Sequence, residues 1–304
     1  MLPISVVIPV WNRQELVKRA IESALRQTYP PAEIVVVDDG STDETAVVVR
    51  AYADRVRYVF QTNKGAAAAR NLGVETAVSP WIAFLDSDDY WHEDHLTHIA
   101  AAIQATNGRA RFYFADTIRP PNEPQHRQWE RASFHINEPH CYVDDATEWV
   151  LMRIQPMMLQ STVFRRDAYL ESGGCWPRLH TREDTHLFLK LGLGGAACAV
   201  NSIGAIMTAT ANEQRLTASH APLAQDGRWM QVWLYRDILR RFSHLPAAHR
   251  QVLQRRLAGA YWGLARVYWY RRQPITAVLR AMHSFSLDPV GFWQRINRAR
   301  HRVV

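Results

Sequence analysis

Three carboxylates stand within four positions at Asp86-Ser87-Asp88-Asp89, directly after the apolar run Trp81-Ile82-Ala83-Phe84-Leu85. Like charges so close repel one another unless something neutralises them. One remedy is a divalent cation carrying a phosphate, since Mg2+ and Mn2+ prefer oxygen ligands. The other is capping, with Asp88 or Asp89 at the start of a helix near Tyr90. Further polar groups recur at Pro9-Val10-Trp11-Asn12-Arg13, Asp38-Asp39, Asn63-Lys64-Gly65, Arg70-Asn71 and Glu183-Asp184. A nucleoside diphosphate calls for such a set. It needs a planar slot and a carboxylate for base and ribose, cations for phosphate, and a metal.

The elements that must position these groups are readable from apolar periodicity. Residues 4–10, 33–37, 56–60 and 81–85 are short, β-branched or apolar runs and read as strands. Helical spacing fills the intervals, at 16–26, 46–52 and 66–76, with Ser41 or Thr42 as caps for the second of these. Strand and helix alternating predicts a doubly wound, mostly parallel sheet, an α/β fold. Ligands of such sheets sit at the C-terminal ends of the strands, where the polar groups fall. A helix at 96–104, strands at 111–115 and 160–164, and a helix from 183 to 191 follow, with a strand pair expected at 196–207. Residues 120–139 are polar and proline-rich and read as a long loop. His92, His95 and His98 miss the spacing of a helical zinc site and read as a solvated helix face.

The 304 residues allow one large domain plus an appendage. No run of 18 apolar residues exists, and the first ten residues read as a strand, so neither a spanning helix nor a signal peptide is expected. Three scattered cysteines argue against a disulfide framework or thiolate zinc site and fit a reducing cytosol. The net charge of +7 is uneven: residues 222–304 hold 15 Lys/Arg and 3 Asp/Glu, while the rest holds 21 and 26. The last quarter is thus a basic, aromatic object on a mildly acidic body. Its stripe of Leu253, Leu257, Tyr261, Leu264 and Tyr268 belongs to one long helix. Its arginines, with Trp262, Trp269, Phe292 and Trp293, suit an anionic membrane surface, the reading taken, or the solvated basic face of a plain helical appendage; nucleic acid is not the expected partner.

Taken in order, Pro9-Val10-Trp11-Asn12-Arg13, Val37-Asp38-Asp39-Gly40-Ser41-Thr42-Asp43, Asn63-Lys64-Gly65, Ala69-Arg70-Asn71-Leu72-Gly73 and Phe84-Leu85-Asp86-Ser87-Asp88-Asp89 resemble the family 2 glycosyltransferases. The resemblance covers roughly residues 3–215. It implies a GT-A fold and an inverting, metal-dependent transfer from a nucleotide sugar, with Mn2+ or Mg2+ as cofactor. Pro9 and Asp39 would then line the base pocket, and Trp11, Arg13, Lys64 and Ser87 would also bind the nucleotide sugar. Asp38 would order its loop or reach the ribose, and Arg70 would approach the diphosphate. Asp86-Ser87-Asp88 looks like the DXD motif, with Asp88 on the metal and Asp86 on ribose or a metal-bound water. Glu183-Asp184 resembles the acidic pair of these enzymes, with Asp184 as general base, although the lead-in Cys175-Trp176-Pro177-Arg178-Leu179-His180 departs from the usual pattern. Trp176 would face the acceptor, and Arg215 or His220 would lie over the diphosphate or metal.

On this resemblance the chain divides into a GT-A domain at 1–220, with nucleotide-binding and acceptor halves meeting near 105, and a helical basic region at 221–304. The expected donor is a UDP-sugar, with GDP- and dTDP-sugars open. The expected acceptor is a glycan or lipid-linked glycan, at the cytoplasmic face of a membrane. Two other classes compete. A non-catalytic nucleotide-sugar-binding partner of a polysaccharide assembly complex would not need the Glu183-Asp184 pair. A sugar nucleotidyltransferase would carry a glycine-rich loop after the first strand, which residues 9–13 lack.

Overall fold

A strand apolar on both faces has to be covered on both faces, and β1 (Ile4–Val10) is buried along its whole length inside the sheet. The computed structural model describes residues 1–119, 126–208 and 225–300. After β1 come α1 (Val17–Leu25), β2 (Glu33–Asp39), α2 (Thr45–Arg50), β3 (Arg57–Gln61), α3 (Ala66–Thr76) and β4 (Trp81–Phe84). β1 pairs in parallel with β2 and β4, and β2 with β3, which is the expected doubly wound half. α2 starts later than the expected Ser41 or Thr42 cap. Ser41 is drawn away because its hydroxyl accepts the Asn12 N–H at 2.9 Å, and Asp43 instead accepts the Thr45 N–H at 3.0 Å.

The second half is more mixed. It holds β5 (Tyr90–Trp91), α4 (His95–Ala105), β6 (Phe112–Ile118), α5 (Gln128–Ala132), β7 (His140–Val143), α6 (Thr147–Val150), β8 (Thr162–Arg165), α7 (Arg166–Glu171), α8 (Glu183–Gly192) and β9 (Ala197–Ile206). The nine-stranded sheet runs β3-β2-β1-β4-β8-β6-β9-β5, with β7 also on β9. β8 is antiparallel to both β4 and β6.

Three expectations are corrected here. Residues 196–207 form one strand of 10 residues, not a pair, because β9 is held by β5, β6 and β7 together and absorbs its irregularity as a bulge against β6. The loop at 120–139 contains α5, which forms because Trp129 is buried against Phe114 and Phe134; residues 120–125 lie outside the described part. No helix begins at Tyr90: it pairs with Ile206 in β5, and α4 starts five residues later.

An aromatic cluster welds the two halves. Phe188 of α8 stacks on Phe164 at 5.7 Å and lies 5.5 Å from Phe112, while Phe84 meets both Phe164 and Tyr169 at 5.6 Å. Such pairs add about 0.5–1.5 kcal/mol each beyond their burial. They fix α8 on the sheet, so its first turn is held beside the C-terminal end of β4.

Contacts divide the chain into two units, Met1–Ala211 and Asn212–Val304. The second comprises α9 (Gln225–Arg241), α10 (Ala247–Tyr270), α11 (Pro274–Leu287) and α12 (Pro289–Arg300). α10 buries Leu253, Leu257, Tyr261, Leu264 and Tyr268, the stripe read from periodicity. No helix of the described residues is long and apolar enough to cross a membrane.

Candidate active site

The loops after β1 and β2 are laced together by side chains. Asn12 accepts the Thr42 N–H at 2.8 Å, and the Arg13 N–H donates to Thr45 Oγ1 at 3.0 Å. Asn12 takes φ +49°, a left-handed turn that asparagine tolerates. Asp38 is buried and orders its own loop. One oxygen accepts the Ser41 N–H at 2.8 Å and the other accepts the Tyr58 hydroxyl at 2.8 Å. Burial, and then that bond to a carboxylate, push the Tyr58 phenol up to about 12. Asp39 holds the next loop: it accepts the N–H groups of Lys64 and Gly65, both at 2.8 Å, and the Gln61 amide at 2.6 Å. A carboxylate offers about four acceptor positions, and three of those of Asp39 are taken. Gly40 packs onto this turn: a Cβ there would come within 2.7 Å of the Asn63 nitrogen, and its φ is +78°.

Arg70 is the hinge of the arrangement. Its guanidinium is 6% exposed, and it donates through Nη2 to Asp86 at 2.6 Å and through Nη1 to Glu183 at 2.8 Å. One planar fork thus ties the acidic end of β4 to the first turn of α8. The neighbouring Asn71 clamps the lead-in to the same turn. Its amide donates to the Cys175 carbonyl at 2.8 Å, and its oxygen accepts the Cys175 N–H at 2.9 Å and the Tyr169 hydroxyl at 2.7 Å. Lys190 donates to the carbonyls of Ser172 and Gly174 from below. Arg182 then takes φ +66°, and α8 starts on Glu183.

The two acidic residues of that turn differ. Glu183 is largely buried; burial, opposed by Arg70 and reinforced by Asp184, pushes it up to about 7. Asp184 sits beside it in the first turn, where the helix N-terminus favours negative groups. Trp176 packs on His186 with ring centres 5.3 Å apart.

Shared hydrogen bonds and chain adjacency make two groups of these residues: Asp38, Asp39 and Lys64 at the loop after β2, and Arg70, Asp86, Glu183 and Asp184 between β4 and the first turn of α8. Pro9 is buried in β1, and Trp11, 49% exposed, stands at its end. Ser87 is buried, and Asp88 is half-buried, its carbonyl accepting from Thr208 at 2.6 Å and Arg19 at 2.9 Å. Asp89 has no capping role: it is buried and accepts the Thr208 N–H at 3.2 Å. Arg215 and His220 lie outside the described residues. His95 departs from a solvated face, being fully buried against Trp91 with ring centres 5.0 Å apart, while His92 and His98 are exposed. Among the described residues no three acidic, histidine or cysteine side chains converge on a metal position. The donor set nonetheless fits Mg2+ or Mn2+. Asp88 and Asp86 offer hard oxygens two positions apart, and ions of this kind take their other ligands from phosphate and water.

The sequence model of Glycosyl transferase family 2 matches residues 5–169, over half of the chain and all five motifs. The chain belongs to that family.

Curated relatives align with about a third of this chain. An uncharacterised glycosyltransferase of Rickettsia felis is 46% identical over 95 residues, 31% of this chain and 16% of that protein. Glycosyltransferase GlyA of Streptococcus pneumoniae is 36% identical over 96 residues, 31% of this chain and 14% of that protein. The chain therefore aligns with only about a sixth of the length of these two. Among solved structures, S. aureus TarS 1–349 in complex with UDP-GlcNAc matches with a TM-score of 0.65 at 18% identity, over 94% of this chain and 91% of that one. The mannosyltransferase PcManGT of Pyrobaculum calidifontis, in complex with GDP-Man and Mn2+, matches with a TM-score of 0.62 at 16% identity, over 99% and 80%. Those likenesses show the fold.

Within this family 2 frame, the residues that sequence reasoning missed are the supports. Tyr58 and Gln61 had no signal of their own, because each acts on a partner at least 20 positions away, and Asn12 and Ser41 stood in motifs without the task of joining two loops. Asn71 was quoted within a motif but without a task.

Proposed function

We propose that this chain is a metal-dependent inverting glycosyltransferase. It moves a sugar from a nucleotide-sugar donor, a UDP-sugar first, to a hydroxyl of a glycan or lipid-linked acceptor in cell-surface polysaccharide synthesis. The observation that carries the proposal is the Arg70 fork, which binds Asp86 of the donor side and Glu183 of the acceptor side. Two acidic motifs almost a hundred positions apart have no structural need to share one buried guanidinium unless their relative position matters. The solved complexes of TarS with UDP-GlcNAc and of PcManGT with GDP-Man and Mn2+ support the donor class and the metal.

The chemistry divides between the motifs. Asp39, Pro9 and Trp11 hold the nucleobase, with Asp38 and Tyr58 keeping the loop rigid. Arg13 and Lys64 offer charge to the phosphates. Asp88, with Asp86, would hold Mn2+ or Mg2+, which would supply Lewis-acid stabilisation of the diphosphate leaving group. Asp184 accepts the proton of the acceptor hydroxyl while that oxygen bonds the anomeric carbon and the bond to the diphosphate breaks. Glu183 positions Asp184: its Oε1 is committed to Arg70, while Asp184, whose Oδ1 accepts the Thr185 N–H at 2.6 Å, keeps Oδ2 for the acceptor hydroxyl. Trp176 gives the acceptor sugar an apolar face.

The proposal predicts that Asp184→Asn lowers transfer by at least about 1000-fold while leaving nucleotide affinity within a few-fold. Turnover is read by release of the nucleoside diphosphate, and binding by calorimetry; near wild-type turnover removes Asp184 from the role of base. Asp88→Ala should weaken UDP binding about tenfold or more in Mn2+ and have little effect in its absence. Equal affinities with and without Mn2+ in the wild type would remove the metal assignment.

A further inference from the structure

Helix α11 buries its small residues and exposes its large ones. Ala277 and Ser284 are its buried positions, whereas Ile275, Val278, Leu279, Met282 and Phe285 are 79%, 53%, 49%, 61% and 43% exposed. At 100° per residue these five fall within an arc of about 120°, a single apolar stripe facing away from the buried side. Trp269 and Tyr270 at the end of α10, and Val290 and Trp293 of α12, are exposed apolar side chains on the adjoining elements. Trp262 and Phe292, expected at such a surface, instead pack on each other at 5.3 Å and are half-buried. Soluble monomers seldom expose a large apolar stripe without a use for it.

The charge around the stripe selects what covers it. Residues 266–304 hold eight arginines and a single acidic residue, Asp288, which is paired with Arg295 at 3.1 Å. Arg271 and Arg272 precede the first turn of α11 and are exposed, as is Arg298 of α12. The one polar side chain of α11 in that arc is Ser286, whose hydroxyl donates to the His283 carbonyl of its own helix at 3.0 Å, so the face suits a non-directional apolar layer better than a patterned protein surface. Apolar side chains flanked by tryptophan and arginine, on a helix unable to span a bilayer, are the make-up of a helix lying in a lipid interface.

We propose that the Ile275–Phe285 stripe of α11 docks this chain on the surface of an anionic lipid bilayer. The apolar side chains seat at the acyl boundary, and Arg271, Arg272 and Arg298 meet the headgroup phosphates. The proposal does not depend on the transferase reading, since it rests on the second unit alone.

The test is co-sedimentation of the full chain with vesicles of phosphatidylcholine alone or with about one third phosphatidylglycerol. Wild type should bind the anionic vesicles at least about tenfold more tightly than the neutral ones. The exposed double variant Leu279→Glu/Met282→Glu should lose at least about tenfold of that affinity, with circular dichroism and nucleotide binding unchanged. If it misfolds, Arg271→Ala/Arg272→Ala decides the matter, and should reduce binding to anionic vesicles alone. Absence of vesicle binding, or binding that neither variant alters, overturns the proposal. A dimer in light scattering that the glutamates dissociate, without vesicle binding, overturns it as well and assigns the stripe to a second copy.

Discussion

Arg70 shows how much of a site one side chain can set. A guanidinium can serve two carboxylates at once because its donors form a fixed planar fork, and lysine offers a single point charge. Arg70→Lys should therefore keep one of the two contacts and leave the other carboxylate buried without its partner. We expect a loss of about 3 kcal/mol in stability, and a drop in kcat/KM of about 100-fold that exceeds any change in nucleotide affinity. Unfolding midpoints and kinetics that match wild type would remove Arg70 from this role. The sequence marks Arg70 as a motif arginine, but not its two carboxylate partners. The expected diphosphate contact takes no account of Glu183, which lies 113 positions further on and reaches Arg70 only through the packing of α8.

At the level of elements, the site depends on how closely α3 approaches the sheet. α3 carries both Arg70 and Asn71, and its close approach is at Gly73. A Cβ on Gly73 would sit 2.3 Å from Val7 Cγ1 and 3.3 Å from Val37 Cγ2, both on buried strands. Two effects oppose each other in Gly73→Ala. Helix propensity favours alanine by about 1 kcal/mol, while overpacking a tight core costs about 1–3 kcal/mol. The clash should win, because Val7 is β-branched, lies in the fully buried β1, and has little room to turn. We expect a melting midpoint a few degrees lower in calorimetry; a raised midpoint would show that Val7 rotates aside. Most strands and helices of the first half were legible because burial on one or both faces gives them a continuous apolar pattern, while β3, a half-exposed edge strand, was legible from its β-branched and aromatic residues. The second half was less so. Ala197–Ile206 looked like two strands since its bulge is imposed by three different partners, and α5 looked like loop since one buried tryptophan holds it.

Over the whole molecule, charge and titration act differently in the two units. The second unit is net positive, with 16 Lys/Arg against 4 Asp/Glu, and the first is net negative, with 20 against 25, and buries a histidine. His95 is fully enclosed, with neither ring nitrogen hydrogen-bonded among the described residues, and Gly204 leaves it room: a Cβ there would come within 2.7 Å of its ring. Burial, with lesser repulsion from His98 and His92, lowers its folded pKa from 6.5 to about 3. Between those values the unfolded chain binds the proton and the folded one does not. This contribution to stability is therefore complete above pH 6.5 and is lost as pH falls through the window. By pH 5 the loss should reach about 2 kcal/mol. Urea unfolding of wild type and His95→Leu at pH 7 and pH 5 tests this; an equal pH dependence in both would show that His95 is not the group responsible.

The amino-acid sequence alone determined the first four strands, the motifs at their ends and the basic aromatic character of the last quarter. Each follows from local pattern: apolar runs, short-range turns and composition. Only the tertiary structure decided that Asp86 and Glu183 share one guanidinium, that Asp89 supports Thr208 instead of capping a helix, and that α11 turns its large side chains outward. These depend on which residues the packing of α8, β9 and α10 brings near, and sequence separation carries no record of that.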